Sequence, residues 1–503
     1  MAKVKKKKKK LKAKADVIQP RHIEEIGQRN YYDYAVAMIE DRFVVGSVDG
    51  VKPVLRRALW ATHDLGFHSS HAHEKSAKVV GETLANYHPH GDTACYEAIV
   101  TAANSAMPCI DGKGNWGSML NKDGFAAMRY TNMRLSKYGE KVFFDKFYLP
   151  SIEFIPNYDG SKKEPLNLPV TLPNILLNGN FGMGPGVSTR NPAFTLKSVC
   201  KVLQLVINDG KGKATVEHCR GLVPVSEYGG YIDTSDKETK KELKTFYRDG
   251  IGKFDWWSKR TEPNAKNRVR YWSFAPLPED LTDKLAKIGD VKGVKFINND
   301  SESTDPYKAA YVVQFAPSCK GKELEKALER VDELFGSSQR MDVKVTDRTL
   351  NKMGDGADIS LRSTNIPTIL TDFLKHRVHI EKVACRHWKE RRNERIRYLK
   401  LLIKAIDHLD VIIKALKVDD SAAYIAKHIG ITVAQANIIL DLRVRQLKKL
   451  EIKVLKAEIA NLKKEIAGYD KRIKKPMPYI AQHIGALYEE LKGEAERQER
   501  VMK

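Results

Sequence analysis

Seven residues, Ile452, Leu455, Ile459, Leu462, Ile466, Tyr469 and Ile473, follow one another at alternating spacings of three and four. On a helix of 3.6 residues per turn such a repeat draws one narrow apolar stripe, and another helix must cover it. The spacing predicts a helix over 452–473 in coiled-coil packing, with an ordinary helical bundle as the alternative. A partner is at hand. Residues 366–416 form one long amphipathic stretch with few helix breakers, and the segment between the two, 418–450, reads as shorter helices. Two long helices flanking a compact helical knob predict an antiparallel arm with a tip.

The rest of the chain has two other textures. From about 21 to 130 it reads as short helices. Residues 51–65 place Val54, Ala58, Leu59, Thr62 and Leu65 at helical spacing, with Pro53 tolerated in the first turn and Arg56 and Arg57 on the solvated side. Residues 75–85 read likewise, and Asp92 is the expected N-cap of a helix running to about 103. Such short helices followed by Gly-rich loops suit a DNA-binding unit of the helix-turn-helix kind. From about 165 to 358, apolar runs such as 230–233 and 310–315 read as strands, separated by turn residues and by helices such as 322–334. At 503 residues, about three domains of mixed α+β class are expected.

Charge narrows the class of partner. Eighty-seven Lys and Arg against 63 Asp and Glu leave a formal +24. Residues 1–16 contribute nine lysines and one aspartate, a net +8; a block of like charges is expected to be disordered and to condense on a polyanion, a solubilising or targeting tail being the alternative. The remaining +16 belongs to the body and points to nucleic acid or an anionic membrane surface, the latter less well because the cations are not gathered on one amphipathic helix. No apolar run approaches the ~18 residues that span a bilayer. The six cysteines are scattered without a Cys-x-x-Cys pair, so neither a zinc site nor a disulfide framework is indicated, and a reducing compartment fits best.

Three local constellations stand out. Tyr87-His88-Pro89-His90-Gly91-Asp92 holds two histidines that cannot share a helix face, and taken alone it reads as a structural turn. DGKGNWGS (111–118) is a Gly-rich loop that could cradle phosphate, but it lacks the frame of a P-loop. In AAMRYTNMRL (126–135), a tyrosine beside an arginine is uninformative by itself. In order and spacing, however, these three segments together with GVKPVLRR (50–57) resemble the breakage-reunion chain of type II DNA topoisomerases, the A-type chain of DNA gyrase and topoisomerase IV. The resemblance continues through Asn157-Tyr158-Asp159-Gly160, LPNILLNG (172–179) and ANIILDLR (436–443). It covers roughly 22–490 and is densest over 42–192.

The resemblance implies a multidomain α+β chain. It would comprise a disordered Lys-rich tail at 1–21, a winged-helix breakage-reunion domain at 22–165, an α/β tower domain at 166–360, a long antiparallel coiled coil with a helical C-gate at 361–490, and a C-terminal tail at 491–503. It implies that Tyr130 is the nucleophile, forming a 5′-phosphotyrosyl link, with Arg129 stabilising the phosphoryl charge. Help is needed, because a phenol of pKa about 10 is only on the order of 0.1% ionised at pH 7. Arg42, Lys52, Arg56, Arg57, His88 and His90 match basic positions around the scissile phosphate. Met183 stands where the family has an isoleucine that intercalates and bends DNA; methionine is apolar but more flexible. Thr93 and Glu97 match the positions that anchor quinolone drugs. No acidic Mg²⁺ cluster and no ATP site can be assigned in the sequence. The resemblance implies that both Mg²⁺ and ATP are held by a separate B-type ATPase/TOPRIM subunit. That subunit would join a homodimer of this chain in a heterotetramer, on double-stranded DNA and without a membrane. A stop at Lys503, before any DNA-wrapping β-pinwheel, resembles the short phage-type medium subunit. It leads us to expect relaxation or decatenation in the cytoplasm of a bacterial cell or phage-infected host. A non-catalytic DNA-binding scaffold on the same fold is the rival expectation.

Overall fold

The computed structural model describes residues 22–117, 124–225, 230–272, 280–300, 310–441, 451–494 and 496. The Lys-rich tail expected at 1–21 lies outside them, as do Ser118 of the Gly-rich loop and Leu442-Arg443 of the ANIILDLR segment. Helix and sheet are mixed, with one very long helix, in keeping with the expected α+β class. None of the described helices is long and apolar enough to cross a membrane.

Near the start of the chain three helices, Pro53–Asp64, Ser76–Asn86 and Asp92–Asn104, pack against one another. Pro53 occupies the first turn of its helix, where its missing N–H costs nothing. Asp92 is the first residue inside its helix rather than the cap; Gly91 is the cap, and the Asp92 carboxylate takes the Thr93 amide at 2.9 Å. A small antiparallel sheet backs the helices, in the order Glu74–Lys75, Asn132–Leu135, Ile110–Lys113. Helix Ile23–Met38 precedes this unit, buries none of its residues, and runs into a π-helical turn, Ile39–Phe43.

The central region holds two larger sheets. Five strands run in the order Asn180–Gly184, Val187–Asn191, Ser337–Asp342, Ile251–Ser258, Gly230–Tyr231, every neighbouring pair antiparallel. Strands Arg268–Tyr271, Tyr311–Phe315 and Val294–Asn299 form the other, covered by helices Leu281–Gly289 and Lys322–Phe335 around a core of its own. In that core Tyr271 and Phe335 stack with centroids 4.1 Å apart. A ladder of Lys344–Leu350 with Ala357–Ser363 leads into the arm.

The arm opens with helix Ile366–Asp407. Its 42 residues reach about 63 Å at 1.5 Å per residue. The helix does not continue to 416 as its pattern suggested. His408 leaves the helical region (φ −121°, ψ 39°) and a separate helix, Leu409–Ala415, follows. The return helix, Ile452–Lys474, spans the heptad run. Leu455, Ile459 and Leu462 of that run are buried against the outgoing helix, and Ile466 packs beside them. Direction follows from the ion pairs: Lys389–Asp470, Arg392–Glu465 and Arg395–Glu458 pair rising numbers with falling ones, so the helices are antiparallel. Helices Ser421–Ile429 and Val433–Leu440 cap the tip.

The last helix, Pro476–Glu490, returns to pack on helix Leu196–Asn208. One large core therefore joins the first helical unit, the five-stranded sheet, the base of the long helix and this final helix. Leu491, at the start of the expected tail, is fully buried in it. All six cysteines are free and buried.

Candidate active site

Tyr130 sits on a short turn between the Gly-rich loop and strand Asn132–Leu135, and the turn is pinned on both sides. Upstream, the Ala126 amide donates to the Asn115 carbonyl (3.0 Å) and the Tyr96 hydroxyl donates to the Ala126 carbonyl (3.0 Å). Packing sets the start of that loop. A Cβ on Gly112 would lie 2.4 Å from the Trp116 indole, so only glycine fits under that ring. Downstream, buried Thr131 donates to the Ser76 hydroxyl (2.8 Å), meets the Tyr96 hydroxyl at 2.6 Å, and takes the Ser76 amide on its carbonyl (3.1 Å). Tyr130 itself is 64% exposed, and its amide donates back to the Ala127 carbonyl at 2.8 Å.

A rigid backbone thus presents a phenol to solvent. The Arg129 guanidinium lies 4.7 Å from the centroid of the ring. Hydrogen bonding and charge from Arg129 hold the phenol below its ordinary pKa, so more of it is present as the nucleophilic phenolate.

A second group gathers around Arg57. Its guanidinium grips Glu164 with two bonds (2.7 and 2.9 Å) and donates to His88 Nδ1 at 2.9 Å. The His88 and His90 rings stack, centroids 4.1 Å apart. Burial, then the charges of Arg57, His90 and Arg42, push the His88 imidazole down to about 4. His88 is therefore neutral near pH 7. With Nδ1 accepting from Arg57, its proton rides on Nε2 and is available to an acceptor. The influence of Arg42 on His88 places the exposed Arg42, on the π-helical turn, in the same neighbourhood.

Arg56 corrects the sequence reading outright. It is 2% exposed and clamped to the equally buried Asp49 (2.5 and 2.9 Å). The helix turns this cation inward because Asp49, seven residues earlier, supplies its counter-charge. It is a structural pair, and Arg56 has no face to offer a phosphate.

A third group is the hairpin of Asn180–Gly184 and Val187–Asn191. Met183 stands 66% exposed near its turn. Lys52, the cap of helix Pro53–Asp64, donates from Nζ to the Phe181 carbonyl at 3.0 Å; burial lowers its pKa. A Cβ on Gly182 would fall 2.2 Å from the Phe43 carbonyl oxygen, so the hairpin is seated on the residue next to Arg42. Arg42 and Lys52 thus lie beside the hairpin that carries Met183. Thr93 and Glu97 are exposed on one face of helix Asp92–Asn104, one turn apart.

Among the described residues no hydrogen bond, ion pair or ring contact links Tyr130 to the His88–His90 pair. Sequence reasoning missed the supports: Tyr96, Ser76 and Thr131 behind Tyr130, Glu164 behind Arg57, Asp49 behind Arg56, and Phe181 with Arg190 beside Met183. Of these, Tyr96 carried a signal as part of the YHPHGDTACYEAIV segment, and Thr131 as part of the AAMRYTNMRL segment. No group of three or more His, Cys, Asp or Glu side chains among the described residues could hold a metal ion. The side chain facing Tyr130 is a guanidinium, so these residues do not fit a Mg²⁺ site of their own.

The family model for the A-type chain of DNA gyrase/topoisomerase IV matches residues 42–484. The A-type chain of DNA topoisomerase 4 from Salmonella typhimurium is 30% identical over 458 residues, covering 88% of this chain and 58% of that protein. The A-type chain of DNA gyrase from Deinococcus deserti is 30% identical over 497 residues, covering 95% of this chain and 57% of that protein. The chain therefore spans less than two thirds of the length of these relatives. The matched span runs from Arg42 through the pinned Tyr130 turn and the Met183 hairpin to the arm and its return helix, and by it the chain belongs to the A-type family of DNA gyrase/topoisomerase IV.

Proposed function

We propose that this chain is the breakage-reunion component of a type II DNA topoisomerase, with Tyr130 as its nucleophile. The observation that carries the reading is an exposed phenol on a doubly pinned turn, its pKa lowered by the adjacent Arg129. The phenolate oxygen attacks a DNA phosphorus. A tyrosyl phosphodiester forms at the 5′ end while the bond to the 3′ oxygen breaks, and that oxygen leaves as a hydroxyl with one proton. One phosphodiester replaces another, so religation by the reverse attack needs no outside energy. Arg129 offsets charge growing on the phosphoryl oxygens. Arg42, Lys52, Arg57, His90 and the neutral donor His88 hold the neighbouring backbone, and Met183 wedges the duplex.

On this reading the three helices with their small sheet are the winged-helix domain, the sheets of the central region are the tower, and the arm tip is the C-gate of a homodimer. Two copies then give two nicks, one per strand, through which a second duplex passes. ATP and Mg²⁺ belong to a separate B-type subunit. Thr93 and Glu97 form the quinolone-facing edge.

The test mixes the full chain with a B-type subunit, Mg²⁺ and plasmid, then traps the reaction with detergent. Protein linked to DNA 5′ ends, and lost in Tyr130→Phe, is the expected result. Linkage that persists in Tyr130→Phe overturns the assignment, and a fully folded chain that never links DNA favours the scaffold reading.

A further inference from the structure

Alternation along strand Asn180–Gly184 turns Phe181 and Met183 to the same outer face while Gly182 between them is buried. Phe181 is 51% exposed. A single exposed apolar residue needs no explanation, but this one has built surroundings. The Arg190 guanidinium lies 4.6 Å from its ring centroid, covering one face and leaving the other open. Its carbonyl is the acceptor that fixes Lys52.

The sheet register extends this face. Phe181 lies opposite Arg190, Arg190 opposite Asp342, and, two residues along, Arg340 opposite Lys253. Asp342 is already neutralised by Lys344. Arg340 and Lys253 are both exposed, and neither has an ion pair among the described residues. Like charges placed directly opposite on neighbouring strands are destabilising, and a polyanion lying over the face removes that cost. An open aromatic face beside such a strip is the arrangement that receives a nucleobase next to its backbone.

We propose that Phe181 is a second apolar contact to DNA. Its free face packs on a base pair beside the step opened by Met183, and Arg190 holds the ring in place. The inference rests on the DNA-cleaving reading above. Spacing separates the two roles. Residues i and i+2 of a strand lie about 6.8 Å apart, whereas base pairs stack every ~3.4 Å. Phe181 and Met183 therefore cannot enter one step together, and they perturb two places in the duplex.

The test uses the full chain and duplexes carrying 2-aminopurine at successive positions, whose fluorescence rises on unstacking. Wild type is expected to brighten two positions about two base pairs apart. Phe181→Ser should abolish one signal and weaken binding about five- to hundredfold, the range for loss of one aromatic–base contact. Met183→Ala should abolish the other signal. Phe181→Trp should keep both, while Phe181→Leu, which preserves apolar bulk and folding, should lose the Phe181 signal with an unchanged melting temperature. Phe181→Ser that binds within twofold of wild type and brightens both positions overturns the inference and leaves the cleavage reading standing. A wild type that brightens no position overturns the inference and the Met183 wedge together.

Discussion

Glu381 is the carboxylate on which the base of the arm depends. It is fully buried on helix Ile366–Asp407. It accepts from Arg472 of the return helix at 2.6 Å and from the Tyr148 hydroxyl at 2.8 Å. Arg377, also fully buried, donates to that same hydroxyl (3.0 Å) and to His483 of the last helix (3.1 Å), with its other guanidinium nitrogens unpartnered. Four segments thus meet at one negative charge set between two cations. Removing it in Glu381→Leu leaves the part-buried Arg472 without its carboxylate and takes the acceptor from the Tyr148 hydroxyl that Arg377 also holds, which costs about 3–5 kcal/mol. Glu458→Ala, farther along the same arm, removes the partner of Arg395. Both side chains of that pair are well exposed, 49% and 38%, so the loss is about 0–1 kcal/mol. Hydrogen exchange of the Ile366–Asp407 amides reads local opening without assuming that the whole chain unfolds as one unit. Opening should rise about a hundred- to several thousandfold in Glu381→Leu and a few-fold at most in Glu458→Ala. The double variant Glu381→Leu/Arg472→Met should recover part of the loss, because an apolar pair replaces the ionic one. Similar exchange in the two single variants would refute the claim that burial, rather than pairing, sets the strength of this junction.

Two further perturbations test other parts of the account. Gly182→Ala drives a Cβ to 2.2 Å from the Phe43 carbonyl oxygen; the hairpin must shift, at about 1–3 kcal/mol, and DNA bending followed by fluorescence transfer should fall. Gly81→Ala, with nothing within 4 Å inside helix Ser76–Asn86, should be neutral or slightly stabilising in a thermal melt in which Gly182→Ala loses stability; equal effects of the two would contradict the seating of the hairpin. For His88, the folded pKa of about 4 lies below the ordinary 6.5, so protonation favours the unfolded chain. Its contribution is complete above pH 6.5 and is lost as pH falls through 4, worth on the order of 3 kcal/mol. His88→Gln should flatten that window in pH-dependent unfolding, and an unchanged profile would show His88 to be titrating normally.

The legible parts of the sequence were those written in local periodicity. The 452–473 heptad became a buried stripe because a 3.5-residue repeat on a helix has one place to go, and the 310–315 and 322–334 runs fell within a residue or two of their elements. Pairings between distant segments were hidden. Nothing local to 180–191 says that it shares a sheet with 337–342, since such a ladder is chosen by burial across some 150 intervening residues. Arg56 was misplaced for a related reason. In a short helix, the position of one arginine was decided by Asp49, outside the helix. At the site, ordered motifs pointed to Arg129 and Tyr130, but the groups that fix them, Ser76, Tyr96 and Thr131, are ordinary residue types whose roles emerge only when three elements converge.

On the proposed mechanism Tyr130 becomes covalently joined to DNA. Nuclease digestion of the detergent-trapped complex, followed by mass spectrometry of its peptides, reads the attachment directly. One nucleotide-modified peptide, carrying a 5′-phosphoryl adduct on Tyr130, is the expected result. An adduct on any other residue, or one joined through a 3′ phosphate, would contradict it.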